Sequence, residues 1–339
     1  MKIDFPEMLT SFFGQYLELQ KGLSPNTVSS YSDSFLLLFT YYKDTLDISP
    51  DKITFKNISR DSILGFCNWL ESTRKSSIKT RNLRLTAIHA FFRYAIMQDP
   101  SQLALCTGVL DIPMKKCEKK PPVHLSADEM KLLFAEPDAK TKKGIRDLAI
   151  MTLLYDTGAR VSELIGFKIE DIRLDKGTAT ARIFGKGRKH RIVPISSATA
   201  DIIKVYYKSN KIDAADQKRL IFVNNRGEPL TRPGINYILD KYIQRAHKNN
   251  PDKFNIKVTA HVMRHTKAVI LLLSDVNLVY IRDFLGHASV VTTERYAKTN
   301  PEFLRKAIEK NAQNFNESTG QYTNEEKESL FDFLKTFRK

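Results

Sequence analysis

The sequence predicts a mainly α-helical protein with one small β-sheet, divided into two domains. Helical spacing of apolar residues dominates the 339-residue chain, whereas alternation of apolar and polar residues is confined to residues 177–196. The stretch CTGVLDIPMKKCEKKPPV, residues 106–123, is rich in proline and lysine and has neither pattern. Because this composition is typical of a linker, we expect one domain on each side of it. The chain length fits two domains of about 150 residues each.

The N-terminal domain, residues 1–105, is expected to contain four helices. PEMLTSFFGQYLELQKG has helical apolar spacing and ends at Gly22. In the next helix Ser24 is a candidate N-cap, and Pro25 stands at the first helical position. SRDSILGFCNWLEST and SIKTRNLRLTAIHAFFRYAIMQD follow, each capped by Ser or Thr. A four-helix domain over roughly residues 4–105 results.

The second domain, residues 124–310, is expected to be mixed but mostly helical. Ser126 with Glu129 three residues later predicts a capping box at its first helix. KKGIRDLAIMTLLYDTG is apolar almost all round, which predicts a buried helix. In GTATARIFGKGRKHRIVPIS, two alternating runs flank a glycine-rich basic turn, and this pattern predicts a β-hairpin.

The charge of the chain indicates a polyanionic partner. Lys and Arg number 54 against 38 Asp and Glu, a net charge of +16, which favours nucleic acid first and an anionic membrane surface second. No apolar run is long enough to span a bilayer, and the first residues lack a signal-peptide core, so we expect a cytoplasmic protein. The three cysteines form no C-x-x-C pair, which does not support a zinc finger.

Cationic side chains in three segments are candidates for contacts with a DNA backbone, although a solvated protein surface is the alternative for any one of them. The first segment is the last N-terminal helix, the second is the linker, and the third is the hairpin turn. The candidates are Lys79, Arg81 and Arg84; Lys115, Lys116, Lys119 and Lys120; and Arg188, Lys189 and Arg191.

The stretch AHVMRHTKA, residues 260–268, concentrates basic groups on one helical face. If it is helical, His261, Arg264 and His265 lie on the same side, because positions i, i+3 and i+4 share a face. A metal, a phosphate and a buried core are the three explanations. The H-x-x-x-H spacing is present, but no glutamate follows His261 and no nearby carboxylate or cysteine completes a zinc site.

Three further stretches carry residues suited to phosphate chemistry. TGARVSEL places Arg160 at the end of a buried helix, with Glu163 positioned either to orient it or to form a purely structural ion pair. GKGRKHR, residues 185–191, lacks the spacing of a nucleotide-binding phosphate loop. FLGHASVVTTERYAK contains Tyr296, which taken alone would be read as a packing residue.

Together these residue types match phosphoryl transfer without a metal. Arginine holds the non-bridging oxygens and neutralises charge in the transition state. A phenolic oxygen attacks phosphorus to form a covalent intermediate, and a cationic or imidazole acid protonates the leaving 5′ oxygen.

The order of these motifs resembles the tyrosine recombinase (phage integrase) family, and most of all its Xer-like and transposon-encoded simple members. The resemblance covers residues 124–310 motif by motif, and the N-terminal helical unit resembles the family's core-binding domain. It implies an α+β catalytic domain that forms a DNA clamp with the N-terminal domain. It also implies a site-specific recombinase that serves integration, excision, transposition or dimer resolution.

The resemblance implies roles for the residues that react directly at the DNA. Tyr296 would be the nucleophile that forms a 3′-phosphotyrosyl link. Arg160 and Arg264 would clamp the scissile phosphate. Lys186 would protonate the leaving 5′ oxygen, with Lys189 the less favoured holder of that role.

The remaining roles belong to histidines and to supporting residues. His261 would be the general acid/base at the tyrosine, and His287 would hydrogen-bond the phosphate. Glu163 and His265 would be supporting residues. No metal or cofactor is implied. Lys267 stands where a smaller or apolar residue is expected, which concerns helix packing rather than chemistry.

The C-terminal tail, residues 311–339, ends in TNEEKESLFDFLKTFRK, which predicts a terminal helix. Leu330, Phe333, Leu334 and Phe337 form an apolar stripe with i, i+3, i+4, i+7 spacing. The helix would fold back on its own domain or dock on a neighbouring subunit. The resemblance favours docking, with the helix exchanged within a homo-tetramer on two double-stranded DNA duplexes that carry inverted-repeat core sites.

Two other functions are compatible with this sequence. A type IB topoisomerase would use similar chemistry to relax supercoils without pairing two sites. A catalytically silent regulator would bind DNA only. The size of the chain and its separate helical unit weigh against the first, and the complete set of Arg, Lys, His and Tyr weighs against the second.

Overall fold

The protein is described by a computed structural model that covers residues 4–118, 122–175, 177, 179–185, 190–224, 226–287, 289, 290, 293 and 305. It is mostly helical with a three-stranded antiparallel sheet, which confirms the predicted fold class. The chain divides into two compact units, with the boundary between residues 119 and 120. Each unit has its own hydrophobic core.

The N-terminal unit is a helical bundle around an aromatic core. Gly22, with φ 57°, ends the first helical segment, and the Ser24 hydroxyl caps the second by accepting the Thr27 N–H at 3.4 Å, as the sequence predicts. The rings of Phe5 and Phe12 each lie 5.4 Å from that of Phe91. The helices are α1 (Phe5–Ser11, continued as a π-helical stretch over Phe12–Gln20), α2 (Pro25–Leu46), α3 (Arg60–Ser72), α4 (Ile78–Gln98) and α5 (Leu103–Leu110).

Helix α5 extends the N-terminal unit beyond the predicted four helices. Cys106 and Val109 are buried, and the Val109 carbonyl lies 3.1 Å from Nε2 of His89 on α4. The predicted linker, residues 106–123, therefore begins too early, because its first residues belong to the core. The sequence LALCTGVL is short and almost wholly apolar, so its periodicity could not reveal a helix.

The second unit surrounds its small sheet with helices. The predicted capping box is present, with Ser126 N–H donating to Glu129 Oε2 at 2.7 Å and Glu129 N–H to Ser126 Oγ at 3.2 Å. The elements are α6 (Ala127–Ala135), α7 (Lys142–Thr157), α8 (Val161–Ile165), β1 (Ile172–Arg173), β2 (Thr180–Phe184), β3 (His190–Pro194), α9 (Ser197–Ser209), α10 (Arg232–Asn249), α11 (Ala260–Leu273) and α12 (Leu278–Leu285).

The predicted hairpin is formed by β2 and β3, and β1 adds a third strand on the other side of β2. Ala181 pairs with Val193, and Ile183 pairs with Arg191. Alternate residues such as Ala181, Ile183 and Val193 are buried, which is the period-two pattern of a half-buried strand. The turn between the strands, residues 186–189, lies outside the described residues.

Helix α7 forms the centre of the second core and ends beside the candidate site. Ile150, Leu153 and Leu154 are fully buried along it. The helix stops at Gly158, which adopts the left-handed conformation, and Arg160 follows two residues later. Among the described helices, none combines the length and apolar character that crossing a membrane requires.

Candidate active site

Arg264 is the central cation of the site and is almost completely buried, with 2% of its surface exposed. It lies in the first half of α11, and its Nη1 donates to the Gly158 carbonyl at 2.5 Å while Nη2 donates to the Leu285 carbonyl at 2.6 Å. Both carbonyls stand at helix C-termini, where backbone acceptors lack intrahelical partners and the dipole favours a cation. The guanidinium is therefore fixed between the ends of α7 and α12.

Arg160 shares this architecture but remains accessible. Its backbone N–H donates to Glu163 Oε2 at 2.9 Å and its Nη1 to Glu163 Oε1 at 2.7 Å. Its Nη2 lies 3.4 Å from the Gly286 carbonyl, and 43% of the side chain is exposed. The structure thus brings Glu163 against Arg160, at the spacing that the sequence suggested, and holds the arginine at the start of α8 with its charge reaching solvent.

Glu163 also binds a second arginine. Arg191 Nη2 donates to Glu163 Oε2 at 3.0 Å, and Arg191 Nε donates to the Phe284 carbonyl at 2.8 Å. Burial raises the pKa of Glu163, but hydrogen bonds and charge from Arg191 and Arg160 outweigh burial, so its pKa is lowered and the carboxylate stays ionised. Arg191 is only 12% exposed. These internal contacts hold the Arg191 guanidinium, and the DNA contact that the sequence suggests for Arg191 stays a prediction.

Two glycines allow these close approaches. Gly158 has φ 56° and Gly286 has φ 65°, a left-handed conformation that side chains rarely adopt. A Cβ at Gly158 would lie 2.8 Å from Leu285 Cδ2, and one at Gly286 would lie 2.9 Å from Arg191 Nη1. The carbonyls of both glycines hold catalytic candidates, Arg264 and Arg160 respectively.

His287 is half-buried and directly follows Gly286, whose carbonyl lies 3.4 Å from Arg160 Nη2. Its Nδ1 lies 3.0 Å from Thr293 Oγ1. Burial, together with the nearby charges of Arg264 and Arg160, lowers the pKa of His287 to about 4. The imidazole is therefore neutral at physiological pH.

His261 and His265 form a contacting pair one helical turn apart on α11. Their ring centroids are 4.2 Å apart in an edge-to-face arrangement. His261 is exposed, whereas His265 is half-buried. The half-buried ring packs against the exposed one, which suits a supporting role for His265.

These side chains border an open cleft with a volume of about 360 Å³. Arg160, His261 and Arg264 line it together with Arg232 and Asn236 of α10. The sequence pattern does not reveal Arg232 and Asn236 as site residues, because TRPGIN marks only a capped helix start, with Thr231 Oγ1 accepting the Gly234 N–H. A cleft lined by several cations suits an anionic group such as a phosphodiester.

Several predicted residues lie outside the described part of the chain. They are Tyr296 in the FLGHASVVTTERYAK stretch, Lys186, Arg188 and Lys189 in the hairpin turn, and Lys119 and Lys120 in the linker. The roles suggested for them remain predictions.

The described DNA-contact candidates of the N-terminal unit differ in accessibility. Arg81 is 3% exposed and donates from Nη1 to the Pro113 carbonyl at 3.0 Å, whereas Arg84 Nη1 donates to the Ser30 carbonyl at 2.9 Å. The helical pattern did not show these inward contacts, and the DNA contacts suggested for Arg81 and Arg84 stay predictions. Lys115 and Lys116 are exposed, although Lys115 Nζ contacts Glu71 at 2.8 Å; Lys79 is also exposed.

Comparison with known proteins identifies both units. The profile of the Phage integrase family matches residues 124–302, and that of the Phage integrase N-terminal SAM-like domain matches residues 11–99. An integrase/recombinase of Sinorhizobium fredii, y4rC, is 37% identical over 89% of this chain and 90% of its own length. Tyrosine recombinase XerD of Oceanobacillus iheyensis is 33% identical over 86% of this chain and 94% of its own length.

Solved structures show the same fold at lower sequence identity. XerH site-specific recombinase bound to palindromic difH substrate aligns with a TM-score of 0.66 and 21% identity over 88% of this chain and 84% of that one. Tn1549 transposon integrase in complex with a circular intermediate DNA aligns with a TM-score of 0.67 and 16% identity over 89% and 99%. The chain belongs to the phage integrase family of tyrosine recombinases, a class of DNA strand-transferring enzymes.

Proposed function

We propose that this protein is a site-specific DNA recombinase that cleaves and rejoins DNA through a 3′-phosphotyrosyl intermediate. The observation that carries the proposal is the convergence of Arg160, Arg264 and His261 on one open cleft. The charges of the same two arginines also act on His287 and lower its pKa. These side chains come from the N-cap of α8, from α11 and from the turn after α12, so a shared purpose is a stronger explanation than local packing.

The two arginines would bind the scissile phosphate and stabilise its transition state. A phosphodiester carries one negative charge and gains more as the nucleophile attacks, so fixed cations favour the transition state over the ground state. Arg264 is held by two backbone carbonyls and Arg160 by Glu163, so little reorganisation is needed. Removing one such group typically costs a factor of about 10²–10³ in rate.

The covalent step would balance as an exchange of two phosphorus–oxygen bonds. The phenolic oxygen of Tyr296 attacks phosphorus and passes its proton to His261 as the bond between phosphorus and the 5′ oxygen breaks. The 5′ oxygen takes a proton from Lys186. Attack by a 5′ hydroxyl of the other duplex reverses the step and frees Tyr296. Neutral His287 would donate a hydrogen bond to the phosphate throughout.

Cations of both units would contact DNA. We propose that exposed Lys79, Lys115 and Lys116 contact the phosphate backbone, as would the predicted residues Lys119, Lys120, Arg188 and Lys189. Arg232 and Asn236 line the same cleft as the catalytic candidates and would contact DNA next to the scissile phosphate. The XerH and Tn1549 structures, which are described as DNA complexes, support a DNA-bound arrangement of this fold.

The predicted terminal helix would dock on a neighbouring subunit within a tetramer. An apolar groove of about 600 Å³ lies on the second unit, lined in part by Leu271, Ile281 and Phe284. Two of its lining residues, Ile192 and Tyr280, are 65% and 70% exposed. The stripe of Leu330, Phe333, Leu334 and Phe337 has the apolar character and helical spacing to fill such a groove.

A plasmid carrying two inverted-repeat core sites provides the test of the function. The wild-type protein should exchange strands between the sites, and a chain ending at Gln321 should still cleave but lose synapsis and exchange. Relaxation of a plasmid that lacks paired sites, without any exchange, would instead indicate a topoisomerase. Tetramer formation unchanged by the truncation would refute docking of the tail on a neighbour.

A further inference from the structure

Lys267, an unexpected lysine within α11, forms an ion pair beside the arginine cluster. Its Nζ lies 2.9 Å from Asp156 Oδ1 near the end of α7, and the two side chains are only 16% and 9% exposed. A nearly buried ion pair adds little net stability compared with apolar residues of similar volume. Its presence one turn after Arg264 therefore requires a reason other than stability.

The contacts of Lys267 reach the same backbone segments that hold Arg264. Asp156 Oδ2 accepts the Ser196 N–H at 2.6 Å, where the chain passes from β3 to α9. Lys267 Nζ also lies 5.0 Å from the ring centroid of Tyr155 and 5.8 Å from that of Phe284. Tyr155 is in the last turn of α7, and Phe284 precedes Leu285, whose carbonyl binds Arg264.

We propose that Lys267 is a positioning residue for DNA cleavage. It fixes α11 against the ends of α7 and α12, and so holds Arg264 between the carbonyls of Gly158 and Leu285. The inference rests on the proposed role of Arg264 at the scissile phosphate. Burial raises the pKa of Asp156, but the Lys267 charge and the hydrogen bonds from Lys267 and Ser196 together outweigh burial and lower it, so the Asp156 carboxylate is ionised at neutral pH, which supports this geometry.

Two other roles make different predictions. A purely structural ion pair would change stability and leave the chemistry at the phosphate unaffected. A role in the apolar groove, which Lys267 and Asp156 also line, would change synapsis while leaving cleavage intact. The test therefore has to measure cleavage, DNA binding and stability separately.

The chain offers a matched control in Lys241, which pairs with buried Asp147. This pair also joins α7 to a neighbouring helix, α10, with an Nζ–Oδ2 distance of 3.5 Å and exposed fractions of 22% and 0%. Lys267→Met and Lys241→Met each remove one charge and keep an unbranched side chain. Lys267→Arg keeps a positive charge at position 267.

The assay follows single-turnover cleavage of a nicked duplex whose scissile group is either a phosphodiester or a neutral methylphosphonate. On the phosphodiester, Lys267→Met should cleave about ten- to a hundredfold more slowly at unchanged DNA affinity, since small displacements of a reacting group cost this much. Lys267→Arg should recover most of the cleavage rate.

Lys241→Met should lower the melting temperature without slowing cleavage. The methylphosphonate carries no charge for Arg264 to neutralise. On this substrate the cleavage rates of wild type and Lys267→Met should therefore be nearly equal.

Wild-type cleavage by Lys267→Met would overturn the proposal. An equal loss in Lys241→Met, or a defect that persists on the methylphosphonate, would do the same. If Lys267→Met does not fold, Asp156→Asn replaces it, because the amide oxygen still accepts the Ser196 N–H while the charge is removed. Arg264→Ala distinguishes failure of the Lys267 proposal from failure of the proposed function. If Arg264→Ala cleaves the phosphodiester at the wild-type rate, the proposed function fails, whatever the result for Lys267→Met.

Discussion

Arg264 donates to the carbonyl of Gly158 at 2.5 Å, a contact between residues 106 positions apart that joins α11 to the backbone leading into Arg160. The Leu285 and Gly286 carbonyls contact Arg264 and Arg160 from the other side. Both arginines are therefore oriented by helix ends before any phosphate is present. Such preorganisation is what makes fixed charges effective in a transition state.

Substitution of Gly158 should damage both stability and cleavage. Gly158→Ala places a Cβ 2.8 Å from Leu285 Cδ2 and imposes a left-handed alanine, which costs about 1–2 kcal/mol for the backbone alone. Gly227→Ala is the control, because Gly227 also has a positive φ, 78°, but has open space around it. Urea unfolding should show a larger loss for Gly158→Ala, together with slower cleavage. Equal losses in the two variants would contradict the packing described here.

Glu163→Gln should separate the orientation of Arg160 from DNA binding. The carboxylate accepts hydrogen bonds from Arg160 and Arg191 with its two oxygens, whereas the neutral amide has one oxygen. Loss of a buried charged hydrogen bond costs about 1–3 kcal/mol. We expect slower cleavage with little change in DNA affinity, measured by single-turnover kinetics and by binding titration. Glu170→Gln, on an exposed pair with an Nη2–Oε2 distance of 3.7 Å to Arg182, should have little effect. A cleavage rate that stays at the wild-type value in Glu163→Gln would argue against the orienting role.

The depressed pKa of His287 predicts a specific pH dependence. Its folded pKa of about 4 lies below the unfolded value of about 6.5, so the unfolded state binds more protons between these values. The free energy of unfolding should therefore fall as the pH decreases from about 6.5 towards 4, and His287→Gln should reduce this slope. A bound phosphodiester should raise the pKa of His287, because an anion stabilises the imidazolium. NMR titration of the imidazole measures the pKa of His287 in the free protein and in the DNA-bound protein. A pKa near 6.5 in the free protein would show that burial and the arginine charges do not act on His287 as described.

The proposed proton donor can be identified by changing the leaving group. If Lys186 protonates the 5′ oxygen, Lys186→Ala should cleave an ordinary duplex slowly but should cleave a 5′-bridging phosphorothiolate nearly as fast as wild type. The reason is that a thiolate, with a thiol pKa of about 8.5, leaves without a proton. Lys189→Ala tests the alternative lysine in the same assay. If the phosphorothiolate restores cleavage by Lys189→Ala but not by Lys186→Ala, Lys189 is the proton donor to the 5′ oxygen.

Local signals in the sequence predicted much of the fold. Ser24 and the Ser126–Glu129 pair mark helix starts by chemistry that acts within three residues, and both form as predicted. The β2–β3 hairpin follows from alternation around a glycine-rich turn. By contrast, α5 was missed because a short, almost wholly apolar segment has no readable period.

The contacts that build the site could not be read from local patterns. The Arg264–Gly158, Arg160–Gly286 and Arg191–Phe284 hydrogen bonds join residues about 90 to 130 positions apart. The same limit explains why Arg81 was expected at a DNA surface, since helical spacing does not reveal that its guanidinium binds the Pro113 carbonyl. The residue types in the motifs indicated which side chains are candidates for the site. Only the tertiary fold shows which backbone carbonyls and side chains hold them in place.

Formation of a covalent protein–DNA adduct shows directly whether Tyr296 is the nucleophile of DNA cleavage. A nicked duplex carrying the core site traps the cleaved product, and peptide mapping of the adduct identifies the attached residue and the DNA end. Wild-type protein should carry the 3′ end of the DNA on Tyr296, Tyr296→Phe should form no adduct, and Tyr280→Phe, at an exposed phenol of α12, should behave as wild type. An adduct that persists in Tyr296→Phe would show that Tyr296 is not the nucleophile. A wild-type protein that binds the site and never forms an adduct would show that it does not cleave DNA through a covalent intermediate.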